Sequence, residues 1–111
     1  MSKRSPSLLI TDIIESGQKI LSYTNGLSFE QFLLDSKTVD AVIRNFEIIG
    51  EAASRLPDEF KDKYPDIEWH RIRGLRNRIV HDYSGIDYEI VWKIKETFLP
   101  STLEKLIKIH E

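Results

Sequence analysis

VDAVIRNFEIIGEAASRLP, residues Val39 to Pro57, is the stretch that decides the fold. Val39, Val42, Ile43, Phe46, Ile49, Gly50, Ala53 and Leu56 recur at spacings of three and four, which lays one apolar stripe along a helix. Pro57 ends the run, because the residue before a proline is pushed out of the helical conformation. A helix this long with one apolar face must bury that face against other helices. Gly50, Ala52 and Ala53 make one section of it thin. Glycine costs about 1 kcal/mol against alanine inside a helix, so its use here marks a place of close helix–helix approach.

The same spacing continues on both sides. Upstream, Leu9, Ile10, Ile13, Ile14, Gly17, Ile20 and Leu21 form a second stripe, closed by Asn25-Gly26. Ser28 then reads as an N-cap with Gln31 three residues on, a capping box. Leu27 and Phe32 stand where a hydrophobic staple would sit, predicting a short helix from Phe29 to about Asp35. Downstream, Asp58 to Tyr64 is a polar connection with room for one helical turn. Asp66, after Pro65, is expected to start a fourth helix with Ile67, Ile72, Leu75, Ile79 and Val80 inward, running out near Tyr83-Ser84-Gly85. Asp87 caps a last segment carrying Tyr88, Val91, Trp92, Ile94, Phe98 and Leu99. Pro100 kinks or breaks it before Leu103, Leu106 and Ile107 continue. No stretch alternates with period two. The expectation is an all-α, up-and-down bundle of four to five helices forming one domain over residues 1–111.

Bulk properties narrow the function. At 111 residues the chain suffices for one modest core. Without cysteine it has no disulfide, thiolate nucleophile or thiolate metal site. No apolar run approaches the roughly 20 residues that span a bilayer. The N-terminal Met-Ser-Lys-Arg-Ser-Pro precedes only a short apolar stretch broken by Thr11, Asp12 and Glu15, so no signal peptide is read and a cytoplasmic location is expected. A net charge of −2 argues against indiscriminate coating of nucleic acid, which needs a broadly positive surface.

Against that background one segment stands out. From His70 to His81 the chain holds Arg71, Arg73, Arg76, Arg78 and two histidines without a carboxylate. A histidine and an arginine beside a phosphodiester supply most of what RNA cleavage needs. The imidazole titrates near neutrality and can take a proton from a 2′-hydroxyl, while the guanidinium forks two hydrogen bonds to the phosphate oxygens. His81 and Arg76 are the obvious pair. Five residues apart, they lie roughly 140° apart around an ideal helix, so convergence requires either the helix to unwind near His81 or a second chain to contribute. The bland readings are a histidine capping a helix C-terminus, arginines solvated or paired with Asp66, Glu68, Asp82 or Asp87, a packed Tyr83, and surface positions for His70 and His110. Three dispersed histidines do not have the spacing of a metal site. No glycine-rich phosphate loop is present.

Arg76-x-x-x-x-His81 followed by Asp82 and Tyr83 resembles the Arg-x4-His-x-Tyr signature of the HepT-like toxins of the HEPN superfamily. Asn77 fits the polar residue often found after that arginine. Asn45-Phe46-Glu47-Ile48-Ile49-Gly50-Glu51-Ala52-Ala53 is similar to the family's central helix, Trp69 to Asn77 to its entry into the active helix, and Val91-Trp92 through Leu99-Pro100 to its closing helix. The resemblance implies a HEPN-like homodimer and a metal-independent endoribonuclease toxin of a type VII-like toxin–antitoxin pair, needing no cofactor. It implies His81 as general acid or base and Arg76 as phosphate contact, in a cleft between two subunits. Asn77, Arg73 and Arg78 would support RNA binding, although the role of Arg78 inside the motif is unassigned. The implied partners are an RNA, such as a tRNA or mRNA, and a minimal nucleotidyltransferase antitoxin that neutralises the toxin, in some pairs by transferring AMP to the motif tyrosine, here Tyr83. No membrane is implied. In the dimer, the Gly50 to Ala53 section and the His70 to Tyr83 helix are expected near the two-fold axis. The competing reading is a non-catalytic helical dimer that binds a nucleotidyltransferase or nucleotides.

Overall fold

A computed structural model describes residues 4–81 and 85–110, the His81 side chain excepted. Helix α1 (Pro6–Thr24) starts where Ser5 accepts a hydrogen bond from the Leu8 N–H and Pro6 occupies the first turn. It stops at Asn25, followed by Gly26 with φ +79°. The capping box of α2 (Phe29–Leu34) is complete: Gln31 N–H donates to Ser28 Oγ at 3.1 Å, and Ser28 N–H donates to Gln31 Oε1 at 2.9 Å. Helix α3 (Ser36–Arg55) begins under a third cap, Asp35. That carboxylate accepts from the Thr38 hydroxyl at 2.7 Å and the Thr38 N–H at 3.2 Å, and these two bonds hold its pKa below the ordinary value.

The α3 stripe is the spine of the core. Val39, Val42, Ile43, Phe46, Ile49, Gly50, Ala53 and Leu56 are all buried. Helix α1 packs along it with Leu9, Ile10, Ile13 and Ile20. The C-terminal helix α8 (Leu99–His110) lies against α1, so close that a Cβ on Gly17 would stand 2.5 Å from Leu103 Cδ2. The His110 ring also meets the Thr11 hydroxyl at 2.8 Å, tying the end of α8 to the start of α1.

The chain divides more finely than four or five helices. The described residues form eight α-helical segments, one π-helical stretch and one two-residue strand pair. A single turn, α4 (Asp58–Asp62), fills the polar connection. The fourth helix does not start at Asp66 but at Trp69. The Trp69 indole N–H donates to the Lys61 and Tyr64 carbonyls at 3.2 and 3.1 Å, which folds residues 61–69 into a tight return and delays the helix. That helix is then split at Gly74 into α5 (Trp69–Arg73) and α6 (Leu75–Ile79). It ends four residues before Tyr83: β1 (Val80–His81) pairs antiparallel with β2 (Gly85–Ile86), Val80 opposite Ile86.

Asp87 caps α7 (Tyr88–Lys93) through the Ile90 N–H, as expected. Pro100 breaks nothing. The helix widens into a π-helical stretch, Ile94–Phe98, directly before Leu99 and Pro100, where a missing N–H and a bulky ring must be accommodated. Within that stretch Lys95 is buried, its Nζ 3.6 Å from the centroid of the Trp92 ring. Tyr88 is exposed rather than inward.

Candidate active site

The α5–α6 segment crosses α3 at its thin section. A Cβ at residue 50 would stand 3.5 and 3.6 Å from the carbonyl oxygens of Arg73 and Ile72, so the backbone of α5 passes directly over Gly50. Ile72, Leu75 and Ile79 point down into the core and anchor the segment. Their neighbours Arg73, Arg76, Asn77 and Arg78 are therefore turned outward and exposed.

Three of those four converge. Arg73, Arg76 and Asn77 form one wall of a groove of about 400 Å³, and Glu47, Gly50, Glu51 and Ser54 of α3 form the other. Arg78 is exposed but does not line it. The four arginines of the segment divide by partner. Arg71 is committed: its guanidinium bonds Glu68 at 2.7 Å and lies 4.5 Å over the Phe98 ring, matching the pairing expected from nearby acids. Arg73, Arg76 and Arg78 make no ion pair among the described residues. Glu51 bonds Arg55 at 2.7 Å, so at least one carboxylate of the far wall is turned along α3 rather than across the groove.

His81 sits in β1, two residues past the end of α6. The backbone thus meets one of the two conditions set by the 140° separation: the helix has unwound before the histidine. Tyr83, with Asp82, lies outside the described residues, as does the His81 side chain. His70 is exposed, and Lys61, Trp69 and Arg73 join it around a second groove. Glu47, Glu51 and Ser54 were not singled out in the sequence. Their signal is a polar stripe at i, i+4 and i+7 flanking the apolar one.

A larger groove lies elsewhere. About 600 Å³ in volume and mostly apolar, it is lined by Phe29, Glu89, Trp92, Lys93, Glu96 and Thr97, without an arginine or a histidine. Size alone does not locate phosphate chemistry, and the smaller arginine-lined groove suits it better. Among the described residues no group of three or more His, Asp or Glu side chains is placed to hold a metal ion, and no helix is long and apolar enough to cross a membrane.

Residues 13–109 match the family model described as ribonuclease HepT-like. The chain is 39% identical over 109 residues to Putative RNase MJ0127 of Methanocaldococcus jannaschii, covering 98% of this chain and 90% of that one. It is 38% identical over 109 residues to Probable ribonuclease HepT of Thermococcus cleftensis, covering 98% and 99%. Gamma-glutamylcyclotransferase and putative RNase MJ0434, also of M. jannaschii, is 33% identical over 109 residues that make up 49% of its length. No solved structure matches. With nearly its whole length aligned to such relatives, the chain belongs to the HepT-like ribonuclease family.

Proposed function

We propose that this protein is a metal-independent endoribonuclease that cleaves RNA by attack of the ribose 2′-oxygen, with Arg76 and His81 as the catalytic residues. The carrying observation is that Arg76 is exposed, lacks an ion-pair partner among the described residues, and lines a groove with Arg73 and Asn77 next to a helix that ends ahead of His81. His81 accepts the 2′-hydroxyl proton, and O2′ attacks phosphorus. The bond to O5′ breaks, and a second imidazole, the His81 of another copy facing it in a homodimer, returns a proton to the leaving oxygen. The products are a 2′,3′-cyclic phosphate and a 5′-hydroxyl. Arg76 neutralises the charge that builds on the non-bridging oxygens, and Arg73 and Asn77 steady the phosphate. The family and the names of its relatives as RNases support this reading.

The same reading includes control by a nucleotidyltransferase antitoxin acting from a toxin–antitoxin pair. AMP on Tyr83 would add a bulky anion two residues from His81, opposing entry of an RNA phosphate by charge and by volume.

The test is cleavage of total RNA and tRNA by purified protein whose intact mass shows no added AMP, with end-group analysis. His81→Ala and Arg76→Ala are each expected to lower the rate by about 10²–10⁴-fold while the fold is retained. Intact RNA with the wild-type protein would leave the non-catalytic helical module as the better account. Cleavage that survives both substitutions would remove these two residues from the chemistry.

A further inference from the structure

Arg73 lines more than the groove it shares with Arg76 and Asn77. A second groove, also about 400 Å³, is lined by Asp58, Lys61, Asp62, Pro65, Ile67, Trp69, His70 and Arg73. Arg73 belongs to both. We propose that this second groove is a subsite for the neighbouring nucleotide of a single-stranded RNA, with the linking phosphate on Arg73 and a preference for bases that carry an exocyclic amine; the RNA identity rests on the ribonuclease reading above.

The composition matches the parts of a nucleotide. Pro65, Ile67 and Trp69 contribute the apolar part of the lining, against which a base can rest. Trp69 is rigid, because its N–H is already committed to the Lys61 and Tyr64 carbonyls. Ile67 and Trp69 are 5% and 8% exposed, so the floor is part of the core and is preformed. Lys61 and Arg73 supply cations and His70 a hydrogen-bonding imidazole, and none of the three forms an ion pair among the described residues. Both grooves fall within the roughly 300–1,000 Å³ of small-ligand sites.

The two aspartates decide which part of the nucleotide goes where. Asp58 and Asp62 would repel a phosphate but accept hydrogen bonds from an amino group, as carboxylates do from the cytosine amine. The phosphate is therefore held at the Arg73 end and the base at the aspartate end. Adenine, cytosine and guanine carry such an amine and uracil does not.

The experiment measures binding, so it reads independently of cleavage. Oligoadenylates and oligouridylates of two to six residues, 2′-O-methylated to remove the nucleophile, are titrated against the full-length protein by NMR chemical shift. In the adenylate series affinity should rise by about tenfold at the length that first fills the second groove, the scale of one added base contact. The uridylate series should show less than half of that gain on a logarithmic scale. Lys61→Ala/His70→Ala should flatten the adenylate step, and Asp58→Ala/Asp62→Ala should erase the adenine preference. Circular dichroism confirms folding. All four side chains lie at the surface or its edge, and the carbonyl that holds Trp69 is backbone, so it survives at Lys61. Affinity without a length step, no detectable binding at any length, or a step that persists in the folded Lys61→Ala/His70→Ala variant overturns the subsite. Failure of the ribonuclease reading would show separately, as unmethylated oligonucleotides left uncut.

Discussion

Gly17 and Gly50 lie in the interiors of the two longest helices, yet alanine at these two positions should move stability in opposite directions. Relieving a helix of glycine gains about 0.5–1 kcal/mol at either site. At Gly50 the new methyl would meet the Arg73 and Ile72 carbonyl oxygens at 3.5 and 3.6 Å, an ordinary contact, so the gain should be kept. At Gly17 it would stand 2.5 and 2.9 Å from the Leu103 methyls. Leu103 is only 4% exposed and has nowhere open to turn, so it or α8 must shift by about an ångström. Overpacking of this kind costs about 1–3 kcal/mol, leaving Gly17→Ala destabilised by up to about 2.5 kcal/mol net. Urea unfolding followed by circular dichroism, at one protein concentration so that any self-association is constant, resolves the difference. Leu103→Ala alone should cost about 2–5 kcal/mol through its cavity. Combined with Gly17→Ala it should cost less than the sum, because the added methyl then enters the space vacated. Gly17→Ala as stable as Gly50→Ala, or strict additivity with Leu103→Ala, would refute the close α1–α8 contact.

Other outcomes follow from single features. Gly85 has φ +79° with nothing within 4 Å of a prospective Cβ, so Gly85→Ala should strain the hairpin through backbone conformation alone, at about 1–2 kcal/mol. It should lower RNA cleavage more than it lowers the unfolding midpoint, and unchanged cleavage would detach the hairpin from the positioning of His81. Arg73→Ala should weaken binding to single-stranded RNA and reduce the slope of log affinity against log salt by about 0.7; an unchanged slope would remove Arg73 from phosphate contact. Asp35 is held below the ordinary carboxylate range by the Thr38 hydroxyl first and the Thr38 N–H second. A folded value lower than the unfolded one stabilises above the unfolded value, and that contribution is lost as pH falls through the folded one. The stability gap between wild type and Asp35→Ala should therefore narrow on acidification below the ordinary carboxylate pKa, and a gap that widens there would contradict the cap.

Those contacts also show which parts of the fold could be read from residues alone. The α3 stripe, the Ser28–Gln31 box and the Asp87 cap depend on neighbours within four positions, and each appears as expected. The late start at Trp69 was hidden because it depends on an indole reaching back five and eight residues to two carbonyls, a contact without periodicity. A strand pair of two residues each is too short to alternate visibly. The π-helical stretch keeps its apolar residues inward, so Ile94, Phe98 and Leu99 read as α-helix. The close approach that Gly50 marks in the sequence is made by α5 within one chain.

The arginine-lined groove follows the same division between local and distant causes. Once Ile72, Leu75 and Ile79 are assigned to the core, Arg73, Arg76 and Asn77 must face away from it. What the spacing could not supply was the second wall. Glu47, Glu51 and Ser54 share a groove with the arginines only because α5 crosses α3 at Gly50, where no side chain holds the helices apart. Acidic groups facing the proposed RNA site oppose a polyanion in general, and so limit how it can lie. A phosphate is favoured only where guanidiniums outnumber nearby carboxylates, along the line from Arg73 to Arg76. Mixed charge on a chain of net charge −2 thus trades general affinity for position, which suits the proposed placing of one phosphodiester beside one histidine.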